Sequence, residues 1–169
     1  PREQLQGFGI AMVVLEPRSL DELGRQFLLI GERLGRPQAG RRLHDRFVAG
    51  LEALRTRYRR NEPLPVFYQV WDAPLYTVGG RQIISDALQV CGARNLFADL
   101  DLPAPQVSVE AVLQRDPALI IAADARQLQS WQRWPQLRAV KSEQLVVLPD
   151  KGLERPSFVA GAIDPVQIL

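Results

Sequence analysis

One cysteine, one histidine and one methionine are all that 169 residues supply of three chemically versatile side chains. The lone Cys91 excludes an intramolecular disulfide and any CxxC zinc or redox motif, so cysteine says nothing about compartment. The lone His44 excludes a His-rich metal centre. Charge of one sign is also missing: 21 basic residues against 19 acidic ones leave +2, too even a balance for a nucleic-acid binder. No apolar run approaches the ~20 residues of a bilayer span. Residues Pro1 to Gln6 are polar and lack a signal peptide's apolar centre. A GxSxG elbow, a glycine-rich phosphate loop before a helix, HExxH and a Cys–His pair close in sequence are all absent. No catalytic residue and no metal ligand is therefore assigned.

What is present suits one soluble domain with its own core, at 46% hydrophobic and 24% charged residues. Ile10–Leu15 (IAMVVL) is a short apolar run bounded by Gly9 and Pro17, and it predicts a buried strand. Such a strand has no sheet neighbours before it, so the native chain is expected to begin further upstream. Ser19 and Glu22 form a capping box. Leu20, Leu23, Phe27, Ile30 and Leu34 then line one helix face, with Gly35 and Pro37 as its stop. A second helix is expected from about Ala39 to Arg60, long enough at 1.5 Å per residue to span a small domain. Its apolar stripe is Leu43, Phe47, Leu51, Leu54 and Tyr58; Arg41, Arg42, Arg46, Arg55, Arg57 and Arg59 stand opposite. Those arginines read either as a solvated face or as a surface for an acidic partner.

Strands are then predicted at Val66–Trp71, Asn95–Phe97, Ala118–Ala122 and Gln144–Leu148. Helices follow at Gln82–Cys91, from the cap Ser108 through Gln114, at Gln127–Trp134 and after Glu154. This alternation predicts an α/β, Rossmann-like three-layer lobe with a mostly parallel sheet, preceded by a long connecting helix. In such sheets ligands bind outside the carboxyl ends of the strands. Here those ends and their loops hold Tyr68 to Asp72, Tyr76 and Thr77, Pro103 to Gln106, and Pro149 to Lys151. Aromatic faces beside a few polar groups suit a large, flat, partly polar ligand. Packing within the sheet accounts for Tyr68 and Trp71 equally well. Simple alternation puts Gln69 and Trp71 on one face, although Trp71, at the strand's end, is free to point either way. Glu110 falls in the first turn of a helix, where the dipole favours a carboxylate without any partner.

Three segments, VFYQVWDAPLYTVGG, ISDALQVCGARNLFADL and PAPQVSVEAVL, resemble the periplasmic cobalamin-binding proteins and their relatives, the class III or helical-backbone substrate-binding proteins of ABC importers. VLEPRSLDEL…IGERLGR resembles the passage from the family's N-terminal lobe into its inter-lobe helix. LPDKGLERPS resembles the end of its last strand. The resemblance implies two Rossmann-like lobes joined by a rigid helix, a corrinoid, heme or ferric siderophore in the cleft, a periplasmic location and a dimeric permease as partner. It divides the chain into a remnant of the N-terminal lobe (1–18), a helical segment with the inter-lobe helix (19–60) and the C-terminal lobe (61–169). By position it implies ligand contacts at Val70, Trp71, Asp72, Tyr76, Ala104 and Lys151, and permease docking at Glu110. The cobalamin-binding branch carries aromatic residues where this chain has Val70 and Ala104, so Trp71 and Tyr76 are expected to compensate or the ligand to differ. With one lobe the cleft is incomplete. Weak ligand binding and self-association through the uncovered face are expected. The rival readings are a small Rossmann-like enzyme acting on a nucleotide or sugar, and a scaffolding domain using the arginine-rich helix.

Overall fold

The computed structural model describes residues 7–8 and 12–148. Two helices come first. α1 (Leu20–Arg33) is capped as the sequence predicts: the Ser19 hydroxyl accepts from the Glu22 amide at 3.1 Å, and the Glu22 carboxylate accepts from the Arg18 amide at 2.7 Å. Gly35, at φ +65°, ends it in a Schellman turn, with Gly35 N–H donating to the Glu32 carbonyl and Arg36 N–H to that of Gly31. Pro37 does not merely stop α1; it opens α2 (Pro37–Arg57), because its missing N–H costs nothing at a first helical position. The two helices meet at Gly31 and Gly40. A Cβ on Gly31 would lie 2.7 Å from the Gly40 Cα, so no side chain fits between the backbones. Leu51 is the one side chain of α2 that is fully buried; the predicted stripe residue Leu43 is exposed. The arginine side is exposed throughout.

The sheet is built on β1 (Leu64–Asp72). β4 (Leu119–Ala122) runs parallel to it on one side, and β5 (Leu145–Val147) runs parallel to β4 beyond. On the other side β1 is shared. Its first residues pair in parallel with β3 (Ala93–Asn95), and its last pair antiparallel with β2 (Leu75–Thr77). The mostly parallel α/β lobe is thus as predicted, with β2 an addition. Alternation along β1 feeds two cores. Val66 and Tyr68 pack with Leu119 and Ile121 under α3 (Ile83–Val90). Phe67 packs with Ile120, Phe97, Val112 and Trp131 beneath α4 (Val109–Arg115), α5 (Ala125–Gln129) and the 3-10 turn Ser130–Arg133. The short α6 (Arg138–Lys141) leads to β5 and has no counterpart in the sequence reading. A third cluster of Leu20, Leu51 and Val90 fastens the helical pair to α3.

Two expectations fail. The strand expected at Asn95–Phe97 forms at Ala93–Asn95 instead, with Leu96 and Phe97 in the turn that follows. Met12–Leu15 forms no strand, and Val13 and Val14 are about half exposed. Among the described residues no strand neighbours it, and an apolar run without a partner for its backbone has no reason to become one. The helix expected after Glu154 lies outside the described residues.

Candidate functional site

The carboxyl ends of β1 and β4 make a rim. β1 does not stop after the core but continues into a tight hairpin with β2, across Ala73 and Pro74. Its register places Gln69 opposite Thr77 but Trp71 opposite Tyr76. Two residues of β1 advance against one of β2, so Val70 is the extra residue of a β-bulge. The consequence is a change of face. Cross-strand partners share a side of the sheet, so Trp71 lines up with Tyr76, not with Gln69. Gln69 is 1% exposed and Trp71 57%. The face expected from simple alternation is corrected by this one residue.

Gln69 turns inward, where its Oε1 accepts from Trp131 Nε1 at 2.6 Å. Its Nε2 is buried without a partner among the described residues. Trp71 stays outside, its indole N–H donating to the Ala73 carbonyl at 3.2 Å. The hairpin is buttressed by the loop that follows β3. Tyr76 bridges Gln106, Thr77 N–H donates to the Pro105 carbonyl, and Gly79 N–H donates to that of Pro103. Such closeness requires glycine: a Cβ on Gly79 would sit 1.9 Å from the Leu102 carbonyl oxygen. Val70, Trp71, Asp72, Tyr76 and Ala104 are thereby collected on two segments paired with one another. Leu102, 65% exposed, joins them from the same loop. Lys151 lies outside the described residues.

The loop is held from below. Arg115 grips Asp99 through two bonds of 2.6 and 2.9 Å, also donates to the Leu96 carbonyl, and lies 4.2 Å over the Phe97 ring. The guanidinium holds the Asp99 carboxyl below its ordinary range. At the end of β4, Asp124 caps α5 by accepting from the Arg126 amide at 2.8 Å. It also takes two bonds from the Arg126 guanidinium, which likewise lower its pKa. Glu110, in the first turn of α4 after the cap Ser108, is exposed. Its own amide N–H and the Ser108 hydroxyl stabilise its carboxylate, lowering its pKa. The sequence reading missed the Asp124–Arg126 pair and Leu102. Asp124 preceding an α-helix was a visible cap signal; nothing marked Leu102.

Among the described residues no three His, Cys, Asp or Glu side chains group to hold a metal, and no helix is long and apolar enough to cross a membrane. A family profile described as "Periplasmic binding protein" matches residues 1–151. The vitamin B12-binding protein of Vibrio cholerae serotype O1 (strain ATCC 39541 / Classical Ogawa 395 / O395) is 31% identical over 162 residues, covering 93% of this chain and 59% of the relative. That of Yersinia pestis (strain Pestoides F) is 31% identical over 123 residues, 73% of this chain and 44% of the relative. The chain therefore spans less than two thirds of the length of these relatives. The solved periplasmic vitamin B12 binding protein BtuF of Vibrio cholerae superposes with a TM-score of 0.76 at 30% identity, over 95% of this chain and 65% of the other. The periplasmic heme-binding protein RhuT of Roseiflexus sp. RS-1 shares the fold with a TM-score of 0.78 at 20% identity, over 94% and 66%. These relatives are named as binding proteins, and the small-enzyme reading finds no support among them. The chain belongs to the periplasmic binding protein family, with the fold of its vitamin B12- and heme-binding members.

Proposed function

We propose that this chain supplies the C-terminal, ligand-facing lobe of a substrate-binding protein that serves an ABC importer of cobalamin or a related metal chelate, heme or a ferric siderophore. The observation that carries the reading is the rim itself. A bulge turns Trp71 outward beside Tyr76, with Val70 and Asp72 exposed on the same hairpin and Leu102 and Ala104 exposed on the loop bonded to it. Flat apolar and aromatic ground with sparse polar groups fits one face of a macrocycle or chelate. Lys151 is proposed as a further contact. In this reading residues 61–169 are the lobe, 19–60 the connecting helices and 1–18 the remnant of a preceding lobe. The protein works outside the cytoplasmic membrane, as its periplasmic relatives do.

Glu110 is proposed as the docking point for a permease. Its support is an exposed carboxylate in the first turn of α4, free to meet a partner. Exposed charge pairs of this kind govern orientation and on-rate more than affinity. Self-association is proposed through exposed apolar side chains of the N-terminal segment and α2, among them Val13, Val14, Leu43 and Val48.

The test is titration of cyanocobalamin, hemin and a ferric siderophore into this chain, followed by tryptophan fluorescence with Trp71→Phe as control. Saturable quenching that Trp71→Phe weakens is expected for one of the three, with Trp131 and Trp134 accounting for what is left. Quenching whose strength and midpoint Trp71→Phe leaves unchanged, or binding of a nucleotide or sugar instead, overturns the reading.

A further inference from the structure

The rim has one acidic group with nothing bonded to it. Asp72 ends β1, is exposed, and makes no side-chain hydrogen bond or ion pair among the described residues. It directly follows Trp71. Gln69 pairs with Ala122 in the parallel ladder of β1 and β4, so Asp72 and the Asp124–Arg126 pair leave neighbouring strand ends. Neighbouring strands lie about 4.8 Å apart.

Arg126 is the cation that would greet an anionic ligand there, but its guanidinium is already engaged. Asp124 takes its Nε and Nη2 at 3.2 and 2.8 Å. The pair is neutral as a unit. The charge of Asp72 also reaches Arg126 without a direct bond. Among the described residues, what remains over at this edge of the aromatic ground is one carboxylate; Lys151, proposed above as a further contact, lies outside them.

Resting on the function proposed above, we propose that Asp72 sets the ligand charge this rim accepts: it takes hydrogen bonds from uncharged N–H groups on the ligand's edge, such as carboxamides, and disfavours an edge that carries carboxylates. A carboxylate is an acceptor only, so a donor on the ligand completes it. A second carboxylate brought beside it leaves both without donors and adds like-charge repulsion. The chelate classes named among the relatives differ in this respect. Cobalamin is fringed with carboxamides, whereas heme carries two propionates.

The experiment titrates cyanocobalamin and hemin into this chain and into Asp72→Asn at low salt, reading Trp71 fluorescence. An exposed, unbonded side chain is a safe site for an isosteric change, and circular dichroism confirms the fold. The wild-type chain is expected to prefer cyanocobalamin. Asp72→Asn is expected to move the affinity ratio toward hemin by about 3- to 10-fold, the size of one like charge at a solvated rim. In 1 M salt, where screening acts within about 3 Å, the shift should shrink toward one. A wild-type preference for hemin, or a ratio that Asp72→Asn moves less than twofold, overturns this inference alone. Silence from both probes, in this chain and in the same chain extended upstream, overturns it together with the function on which it rests.

Discussion

At its amino end β1 lies between β3 and β4 with Val66 and Phe67 fully buried; at its carboxyl end it turns into the β2 hairpin and exposes Val70, Trp71 and Asp72. One continuous strand therefore changes its task within three residues. The first half is held by long-range packing on both faces. The second is held by a ladder of backbone bonds to β2, which the 100–106 loop buttresses in turn, and its exposed side chains carry little of the fold. The two halves should thus answer mutation differently, one in stability and the other in binding.

The largest effect is expected at the buried end. Phe67 touches Phe97 and Trp131 edge-on, with centroids 5.7 and 5.5 Å away. Phe67→Ala should cost about 3–5 kcal/mol in urea unfolding, as large-to-small core changes do. A loss below about 1 kcal/mol would break the contrast between the halves. Next is Gly79→Ala, which acts on the buttress. Its Cβ must displace the Leu102 carbonyl, a shift expected to cost about 1–3 kcal/mol as overpacking does. Because Ala104 rides on that loop, the same variant should weaken ligand quenching. Gly50→Ala, with open space around its Cβ, is the control and should be neutral or slightly stabilising.

How much of this was legible beforehand follows the same division. The buried half of β1, the β4 run and the caps Ser19 and Ser108 were readable because composition and spacing announce them locally. The rim residues were reached by resemblance and by the rule that ligands sit at carboxyl strand ends, and five of them do lie together. The bulge at Val70 was not readable, since an extra residue in a ladder leaves no mark in composition. Neither was the Gln69–Trp131 bond, made across 62 residues of chain. β2 was within reach: Leu75, Tyr76 and Thr77 are all strand formers, but the preceding proline and the following glycines made them read as a loop. The strand expected at Ile10–Leu15, of which Met12–Leu15 is described, shows the converse error, where apolar residues were present and no pairing partner was, among the described residues.

At the exposed end, Trp71→Ala should change stability by less than about 0.5 kcal/mol, in line with other surface substitutions. It should nevertheless weaken the fluorescence response to ligand and its affinity, leaving only what Trp131 and Trp134 report. A destabilisation above about 2 kcal/mol would mean that the rim is part of the core after all.

The last comparison concerns the brace beneath the loop after β3, Arg115 and Asp99. Arg115→Ala deletes two bonds to Asp99, one to the Leu96 carbonyl and the stacking on Phe97. About 1–2 kcal/mol is expected, mostly from the carbonyl left without its donor and from the lost ring contact, since the ion pair is solvated. The pH dependence separates the two parts. The Asp99 carboxyl titrates lower in the folded chain than its ordinary range because Arg115 donates to its charged form. Its contribution is therefore complete above the unfolded value, near pH 4, and is lost as pH falls through the lower folded value. Between pH 5 and 8 the difference between Arg115→Ala and the wild type should stay constant. Below about pH 4 it should narrow, because protonating Asp99 removes from the wild type what the mutation has already removed. A gap that instead stays constant as acid is added would show that Arg115 supports the loop through Leu96 and Phe97 alone, with Asp99 contributing nothing to how the rim is held.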